Sequence, residues 1–169
     1  MCRKFVLTKQ KTMNIFYLHQ DPTVIPTVMY NKHVVKMILE TAQLLCTTHH
    51  YYGGDAPYKS THVNHPSTVW TRNNTANYRW LYDHFIALCL EYEDRYGKTH
   101  LSYTKCADVL EHPPVGMPES DTISKMPSCM DDEYIISDDP ITNYRNYYIN
   151  GKSSVANKNE KIITNLFGS

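Results

Sequence analysis

The longest regular pattern in the chain runs from His33 to about Thr47 and contains neither proline nor glycine. Helix-favouring residues fill this stretch, so we expect a helix there. A second helix is predicted from about residue 74 to Tyr96, because apolar residues recur there every three or four positions. Gly97 follows directly and can end that helix in a left-handed conformation.

Shorter patterns predict the remaining elements. A third helix is expected over residues 102–111, and a fourth over residues 140–150, with Asp139 as its N-cap and Pro140 in its first turn. Residues 48–72 and 113–139 have the composition of long ordered loops. Before the first helix, residues 15–18 predict a short apolar strand, and Asn31 is a candidate helix cap. The expected fold is therefore mainly α: a compact single-domain helical bundle with long ordered loops and a short N-terminal strand.

The length and composition are those of one globular domain. The chain has 169 residues, of which 41% are hydrophobic and 20% charged, so burial can offset the entropy cost of folding. We expect the domain to span residues 13–152, preceded by an N-terminal extension over residues 1–12 and followed by a tail over residues 153–169. Residues 1–12 are basic but lack the apolar core of a secretory signal.

Charge and cysteine usage narrow the functional classes. The 17 lysines and arginines balance the 17 aspartates and glutamates, so a polyanionic partner needs a local basic patch. Five widely spaced cysteines favour a reducing compartment. No apolar run approaches the roughly 18 residues of a membrane span. We therefore expect a cytoplasmic protein with no membrane partner.

The predicted first helix carries a narrow polar stripe. His33, Lys36, Glu40 and Gln43 lie within an arc of roughly 80° on a helical wheel, and the other positions are almost all apolar. Such a helix is expected to be surrounded by protein, with the stripe lining a slot or pocket. A partly buried carboxylate near cations suits acid–base chemistry. The same residues could equally be an ordinary salt bridge one helical turn apart.

The predicted loop before the second helix is rich in groups that bind nucleotides. It offers amides and imidazoles for base edges, a flat ring for stacking and cations for phosphate. The candidate ligand-binding residues are Lys59, His62, Asn64, His65, Trp70 and Arg72. Zinc binding by the four histidines of residues 49–65 is the first alternative, but their spacings match no structural zinc signature, so we expect neither metal nor cofactor. The second alternative is a structural turn.

Several segments together carry a resemblance to a known family. They are MNIFYL, NKHVVKMILETAQLL, THVNHPS, RYGK, DEY and NYRNYY, which lie between Met13 and about Lys152. These segments resemble a family of small proteins encoded by tailed phages, some of which are labelled pyrimidine-dimer DNA glycosylases. The phage pyrimidine-dimer glycosylases are helical, and their first long helix has a histidine seven residues before the catalytic glutamate. His33 and Glu40 match that spacing.

The resemblance implies roles for particular residues. Glu40 would stabilise the cationic sugar during base excision, and His33 would position the DNA. The aromatic and basic run near the C-terminus, Tyr144, Arg145, Tyr148 and Lys152, would contact the phosphate backbone. The resembled enzymes also use the amine of a small residue exposed by methionine removal, whereas Asn14 follows Met13 here. The resemblance therefore favours simple N-glycosidic hydrolysis that uses Glu40.

Three functional hypotheses follow from the sequence. The first is a phage-encoded enzyme that acts on DNA or nucleotides, with Glu40, His33 and Lys36 as catalytic residues. The second is a non-catalytic protein in the host cytoplasm that sequesters a small cyclic nucleotide used as an immune signal. The third is an interaction protein, because tyrosine-rich faces also suit protein interfaces, including those of a homo-oligomer.

Overall fold

The structure, a computed structural model, describes residues 14–156. Five α-helices make up most of this region, and three short 3₁₀ helices lie at Ile25–Val28, Asp132–Tyr134 and Ser153–Val155. The α-helices are α1 (Asn31–Tyr51), α2 (Pro66–Asn73), α3 (Thr75–Tyr96), α4 (Leu101–Cys106) and α5 (Pro140–Gly151). The prediction of a mainly α fold is confirmed.

The core lies between the two long helices. Leu44 and Leu45 of α1 and Leu81, Phe85 and Leu88 of α3 are almost completely buried. Helices α2 and α4 pack against this pair. Removal of large apolar side chains from water supplies the main stabilisation of such a bundle. The pair therefore forms a rigid base for the side chains at its surface.

Helix α5 and the segment before α1 close the remaining side of the core. Residues 15–18 are buried, as are Tyr144 and Tyr148 of α5. The Arg145 guanidinium donates a hydrogen bond from Nε to the Leu18 carbonyl at 2.8 Å. The segment forms no strand, and within it the Leu18 amide donates a hydrogen bond to the Phe16 carbonyl at 2.9 Å, so the predicted strand is wrong. Its backbone is held by a side chain of α5 because no second strand lies beside it in the described region.

Three of the predicted helix ends are confirmed by their capping geometry. The Asn74 side chain accepts a hydrogen bond from the Asn77 amide, and α3 ends at Gly97, which has a φ of 62°. The Asp139 carboxylate accepts hydrogen bonds from the Ile141 and Thr142 amides at the start of α5. These side chains satisfy amides that have no partner within the helix.

The first helix differs from its prediction at both ends. It extends to Tyr51, and its N-cap is Tyr30, which makes no side-chain capping bond. Asn31 is not the cap, because its Oδ1 accepts a hydrogen bond from Arg95 of α3 at 2.8 Å. Val35 and Leu39 are 39% and 41% exposed. Most other apolar residues of α1 are buried, so protein covers much of the helix, but the polar stripe adjoins a wider exposed face than the sequence predicted.

Two further corrections concern the loops. Helix α2 lies inside the predicted loop of residues 48–72, where the His65 side chain accepts a hydrogen bond from the Ser67 amide. The third helix ends at Cys106, five residues earlier than predicted. In the turn that follows, the Ala107 carbonyl accepts a hydrogen bond from the Tyr82 hydroxyl of α3 at 2.6 Å. Residues 113–139 form the predicted irregular loop, apart from one 3₁₀ turn.

Some sequence predictions lie outside the described residues. They concern the extension of residues 1–12, the start at Met13 and the tail beyond residue 156. The boundaries expected for the single domain therefore remain predictions. Within the described region, none of the helices has the length and apolar character needed to cross a bilayer.

Candidate functional site

His33 is the centre of the site, and three aromatic residues hold its ring. The Phe16 ring stacks on it with a centroid distance of 4.7 Å. On the other side, His33 Nδ1 lies 3.0 Å from the Tyr148 hydroxyl of α5. The same hydroxyl accepts a hydrogen bond from the Tyr30 amide at 2.7 Å. The His33 ring is therefore fixed by contacts from the N-terminal segment and from α5.

His33 is neutral at neutral pH. Burial of the ring lowers its pKa to about 4, and the positive charges of Lys152 and Lys36 act in the same direction. A neutral imidazole has one N–H, so its two nitrogens differ. When Tyr148 donates its proton to Nδ1, the ring proton lies on Nε2. The ring then offers a neutral hydrogen-bond donor on the side away from Tyr148.

Lys36 and Glu40 continue the polar stripe along α1. Lys36 Nζ lies 3.5 Å from Glu40 Oε1, with the lysine side chain 44% exposed and the glutamate side chain 16% exposed. Gln43, one turn further, is also only partly exposed. The stripe is therefore an imidazole, an ammonium, a carboxylate and an amide on successive turns of one helix. Of the two charged groups, the Glu40 carboxylate is less accessible to solvent than the Lys36 ammonium.

A small cavity opens beside this stripe. Its volume is about 30 Å³, which is enough for a water molecule. The lining residues are Asn14, Phe16, His33, Lys36, Met37, Tyr147 and Lys152. Two lysines from opposite ends of the chain thus meet at one cavity. Anionic groups are the ligands that such a pair attracts.

Tyr144 and Tyr148 support the cavity from below. Tyr144 is buried, and its hydroxyl donates a hydrogen bond to Asn14 Oδ1 at 2.8 Å. The Asn14 amide in turn donates to the Cys129 carbonyl at 2.8 Å. Neither tyrosine is exposed, so the expectation that both contact a phosphate backbone is corrected. Arg145 is likewise engaged, through its Nε, with the Leu18 carbonyl.

Lys152 reaches the cavity from the end of α5. Its ammonium lies 5.1 Å from the centroid of the Tyr147 ring, a cation–π contact. Tyr134 packs on the Tyr147 ring, and the two ring centroids are 5.0 Å apart. A Cβ atom on Gly151 would lie 2.9 Å from both tyrosine rings. Glycine at this position therefore allows the close approach that places Lys152.

The structure places Trp70 and Arg72 in structural contacts. Trp70 is buried, and its indole N–H donates to the Ser124 carbonyl at 2.9 Å. It cannot stack on a base from that position, which corrects the sequence expectation. The Arg72 guanidinium lies 4.2 Å from the Tyr51 ring centroid and donates a hydrogen bond to the Val63 carbonyl. Both side chains hold α2 and its loop in place.

The rest of the predicted binding loop packs near the C-terminal half of α1. The Thr61 amide donates to Thr47 Oγ1 at 3.0 Å, which fixes the loop one turn beyond Gln43. His65 caps α2, whereas the other predicted ligand-binding residues of the loop are exposed. They are Lys59, His62 and Asn64. None of the four lines the His33 cavity, so the structure does not bring them to His33.

The two other histidines considered as metal ligands also have protein partners. His49 Nε2 lies 2.7 Å from the Tyr78 hydroxyl, and His50 Nε2 lies 2.8 Å from the Tyr58 carbonyl. In the part of the chain that the structure describes, no three histidine, cysteine or acidic side chains are arranged to hold a metal ion.

Sequence reasoning did not find Asn14, Phe16 and Tyr147 as residues of the site. The apolar run at residues 15–18 indicated burial, but it did not indicate which ring Phe16 contacts. Tyr147 lay within the aromatic run of the predicted fourth helix. The spacing of that run could place it on a helix face without revealing that His33 lies opposite.

Comparison with known proteins assigns the chain to a family. The model of the family described as pyrimidine dimer DNA glycosylase matches residues 13–104, which is more than half of the chain. The match includes the whole of α1, and therefore His33, Lys36 and Glu40, but it ends before α5. No curated protein and no solved structure matches the chain. The chain belongs to the pyrimidine dimer DNA glycosylase family.

Proposed function

We propose that this protein is a DNA N-glycosylase that removes damaged pyrimidines, with Glu40 as the key carboxylate. The observation that carries the proposal is the row of His33, Lys36 and Glu40 on α1, within the matched segment and beside the small cavity. Family membership supports DNA as the substrate, and the row supplies groups suited to the reaction.

The carboxylate suits the charge that develops in the reaction. When an N-glycosidic bond breaks, positive charge forms on the sugar, and a fixed negative charge stabilises it. Glu40 is largely shielded from water, so its field is less screened than that of a fully exposed carboxylate. A water molecule then adds to C1′, and the departing base takes up a proton. The His33 N–H and the Lys36 ammonium are positioned to bind oxygens of the same nucleotide.

A local basic patch supports binding of DNA despite the zero net charge. Lys32 and Lys36 are exposed on α1, and Lys152 lies across the cavity from Lys36. Five carboxylates lie elsewhere, along α3 and after α4. A net charge of zero over the whole chain is therefore compatible with a local positive region at these lysines. Phosphate groups are attracted to the lysine side of the molecule.

The size of the cavity bears on how a substrate would bind. A nucleotide needs a pocket of about 300 Å³ or more, whereas the cavity measures about 30 Å³. In this proposal the damaged nucleotide therefore lies on the exposed face formed by Lys36, Glu40 and Leu39, with only a phosphate oxygen or a water molecule in the cavity. The His33 cavity is likewise too small to enclose a cyclic nucleotide, so it gives no support to the alternative of a non-catalytic nucleotide-binding protein.

The test is formation of an alkali-labile abasic site in a duplex that contains one pyrimidine dimer, compared with an undamaged duplex of the same sequence. Base release is not the readout, because the cut pyrimidine stays joined to its dimer partner. Glu40→Gln keeps the size of the side chain and removes its charge, so we expect a loss of turnover of about 10² to 10³-fold. Glu91→Gln is the matched control. Glu91 has a similar exposure of 19% and also pairs with a cation one turn away on its helix.

Two results would decide against the proposal. Full turnover by a folded Glu40→Gln protein would remove Glu40 from the mechanism. Failure of the unchanged protein to form any abasic site in dimer-containing DNA, together with recovery of an intact nucleotide from the purified protein, would favour the nucleotide-binding alternative.

A further inference from the structure

A groove separate from the His33 cavity runs between α3 and the region of α4. Its volume is about 660 Å³, and its floor is apolar, with Ile86, Ala87 and Leu90 contributed by α3. Leu90 is 57% exposed, and Tyr103 on the opposite side is 37% exposed. Apolar side chains left open in a groove are typical of a surface that binds another polypeptide segment.

The rim of this groove is acidic. Asp83 and Asp94 line it on α3, and Asp108 and Glu111 line it on the opposite side. Glu91 also lines it but forms an ion pair with Arg95. The described lining contains no lysine, arginine or histidine. The groove therefore favours a segment that is both apolar and positively charged.

The effect of the rim is evident at Tyr82, which lies in the groove. Burial raises the pKa of Tyr82 to about 12, and the negative charges of Glu111 and Asp108 act in the same direction. Its hydroxyl donates to the Ala107 carbonyl at 2.6 Å, which fixes the two walls relative to each other. The groove is thus held open by a contact that does not depend on an occupant.

We propose that residues 1–12 of this chain bind in the groove. This segment is MCRKFVLTKQKT, which contains four lysines and arginines and no acidic residue. Arg3 and Lys4 are complementary to the acidic rim, and Phe5, Val6 and Leu7 are complementary to the apolar floor. The proposal concerns a surface away from the His33 cavity and does not depend on the proposed function.

The length of the chain permits this contact. Asn14 and Thr23, which lines one end of the groove, are nine residues apart, so their Cα atoms are at most about 32 Å apart. Phe5 and Arg3 are nine and eleven residues from Asn14, which gives them a reach of up to about 32 and 40 Å. The charged and apolar part of the segment can therefore reach the groove of its own chain.

The test is zero-length cross-linking of the full chain with a carbodiimide. The reagent activates a carboxylate, and a lysine amine in contact with it then forms an amide bond while the activated oxygen leaves with the reagent as a urea. We expect peptide mapping by mass spectrometry to join Lys4, Lys9 or Lys11 to carboxylates of the groove. An equal mixture of ¹⁴N- and ¹⁵N-labelled protein shows whether each bond lies within one chain.

Charge reversal makes the test specific. Asp108→Lys combined with Glu111→Lys should lower the yield of these cross-links by about tenfold, because two attractions become repulsions. Asp131→Lys combined with Asp132→Lys is the matched control, since it changes the net charge equally at exposed residues outside the groove. Adding Arg3→Glu and Lys4→Glu to the groove variant should restore cross-links between positions 3–4 and positions 108–111.

Several outcomes would overturn the proposal. They are cross-links from Lys4, Lys9 and Lys11 only to carboxylates outside the groove, cross-links that join two copies of the chain, an unchanged yield in a folded groove variant, and the absence of any cross-link from the segment. The cross-link map of the protein without substitutions tests the proposal even where a variant does not fold.

Discussion

The Tyr148 hydroxyl lies 3.0 Å from His33 Nδ1 and 2.7 Å from the Tyr30 amide nitrogen. One oxygen atom of α5 thereby fixes both the start of α1 and the imidazole at the centre of the site. His33 lies within the segment that matches the family, whereas Tyr148 lies beyond it. The orientation of a residue in the matched segment thus depends on a helix outside that segment.

Replacement of Tyr148 by phenylalanine tests this relationship. The substitution keeps the buried ring but leaves the Tyr30 amide without its hydrogen bond to the hydroxyl, so we expect unfolding to become easier by about 1 to 3 kcal/mol. Urea unfolding measures the change. Tyr96→Phe, at an exposed tyrosine of α3, should change stability by less than about 0.5 kcal/mol. Equal effects of the two substitutions would show that the Tyr148 hydroxyl has no structural role.

The protein should lose stability as the pH falls from about 6.5 to 4. Burial lowers the pKa of both His33 and His84 to about 4 in the folded state, against 6.5 for an ordinary histidine. The unfolded chain therefore binds protons in this range that the folded chain does not. As the pH falls through this range, each of the two histidines should reduce the free energy of unfolding by about 1.4 kcal/mol for every pH unit. Above pH 6.5 neither histidine should make the free energy of unfolding depend on pH.

Substitution separates the contribution of His84 from that of other groups. His84 stacks on Trp80, and its Nδ1 lies 3.2 Å from the Pro22 carbonyl, so His84→Gln retains a group able to bond there. The variant is expected to be less stable at pH 7 but to show a shallower decline between pH 6.5 and 4 in chemical unfolding series. An unchanged slope would mean that His84 does not titrate differently on folding.

The sequence predicted the long helices well because their signals are local. The ends of α3 and α5 follow from Asn74, Gly97 and Asp139, whose effects depend on residues within one turn. The stripe of His33, Lys36 and Glu40 was found for the same reason, since residues on successive turns of a helix share a face.

The other half of the site could not be predicted because it depends on tertiary packing. Trp70 has the composition of a stacking residue, yet its hydrogen bond to Ser124, 54 positions away, places it in the core. Asn14 and Tyr147 reach the cavity only because α5 packs on the N-terminal segment. No local pattern records that contact, so the sequence assigned ligand binding to Asn64 and His65, on a loop that does not reach the cavity.

The two lysines of the cavity should contribute to DNA binding through phosphate charge. Lys36→Met and Lys152→Met each remove one cation while retaining an apolar side chain of similar length. Each substitution should weaken binding to duplex DNA and reduce the slope of log affinity against log salt by about 1. Fluorescence anisotropy over a salt series measures both quantities. Lys98→Met, an exposed lysine after α3, is the control and should leave the slope unchanged.

Gly151→Ala tests whether close packing at the end of α5 places Lys152. Alanine ordinarily stabilises a helix relative to glycine by up to about 1 kcal/mol. Here its Cβ would lie 2.9 Å from the Tyr134 and Tyr147 rings, which must move apart. We therefore expect a net destabilisation of about 1 to 3 kcal/mol and weaker DNA binding, because the ring that contacts Lys152 is displaced.

The matched control for this substitution is Gly54→Ala, whose nearest contact would be the His49 carbonyl oxygen at 3.3 Å, a distance that a small shift relieves. The decisive variant is Tyr134→Ala, which removes one of the two rings that the new methyl group meets. If crowding causes the loss, Gly151→Ala should destabilise the Tyr134→Ala protein less than it destabilises the original protein. The difference is a coupling free energy measured by a double-mutant cycle in urea. A coupling of zero would show that the methyl group acts through the backbone and not through the tyrosine rings.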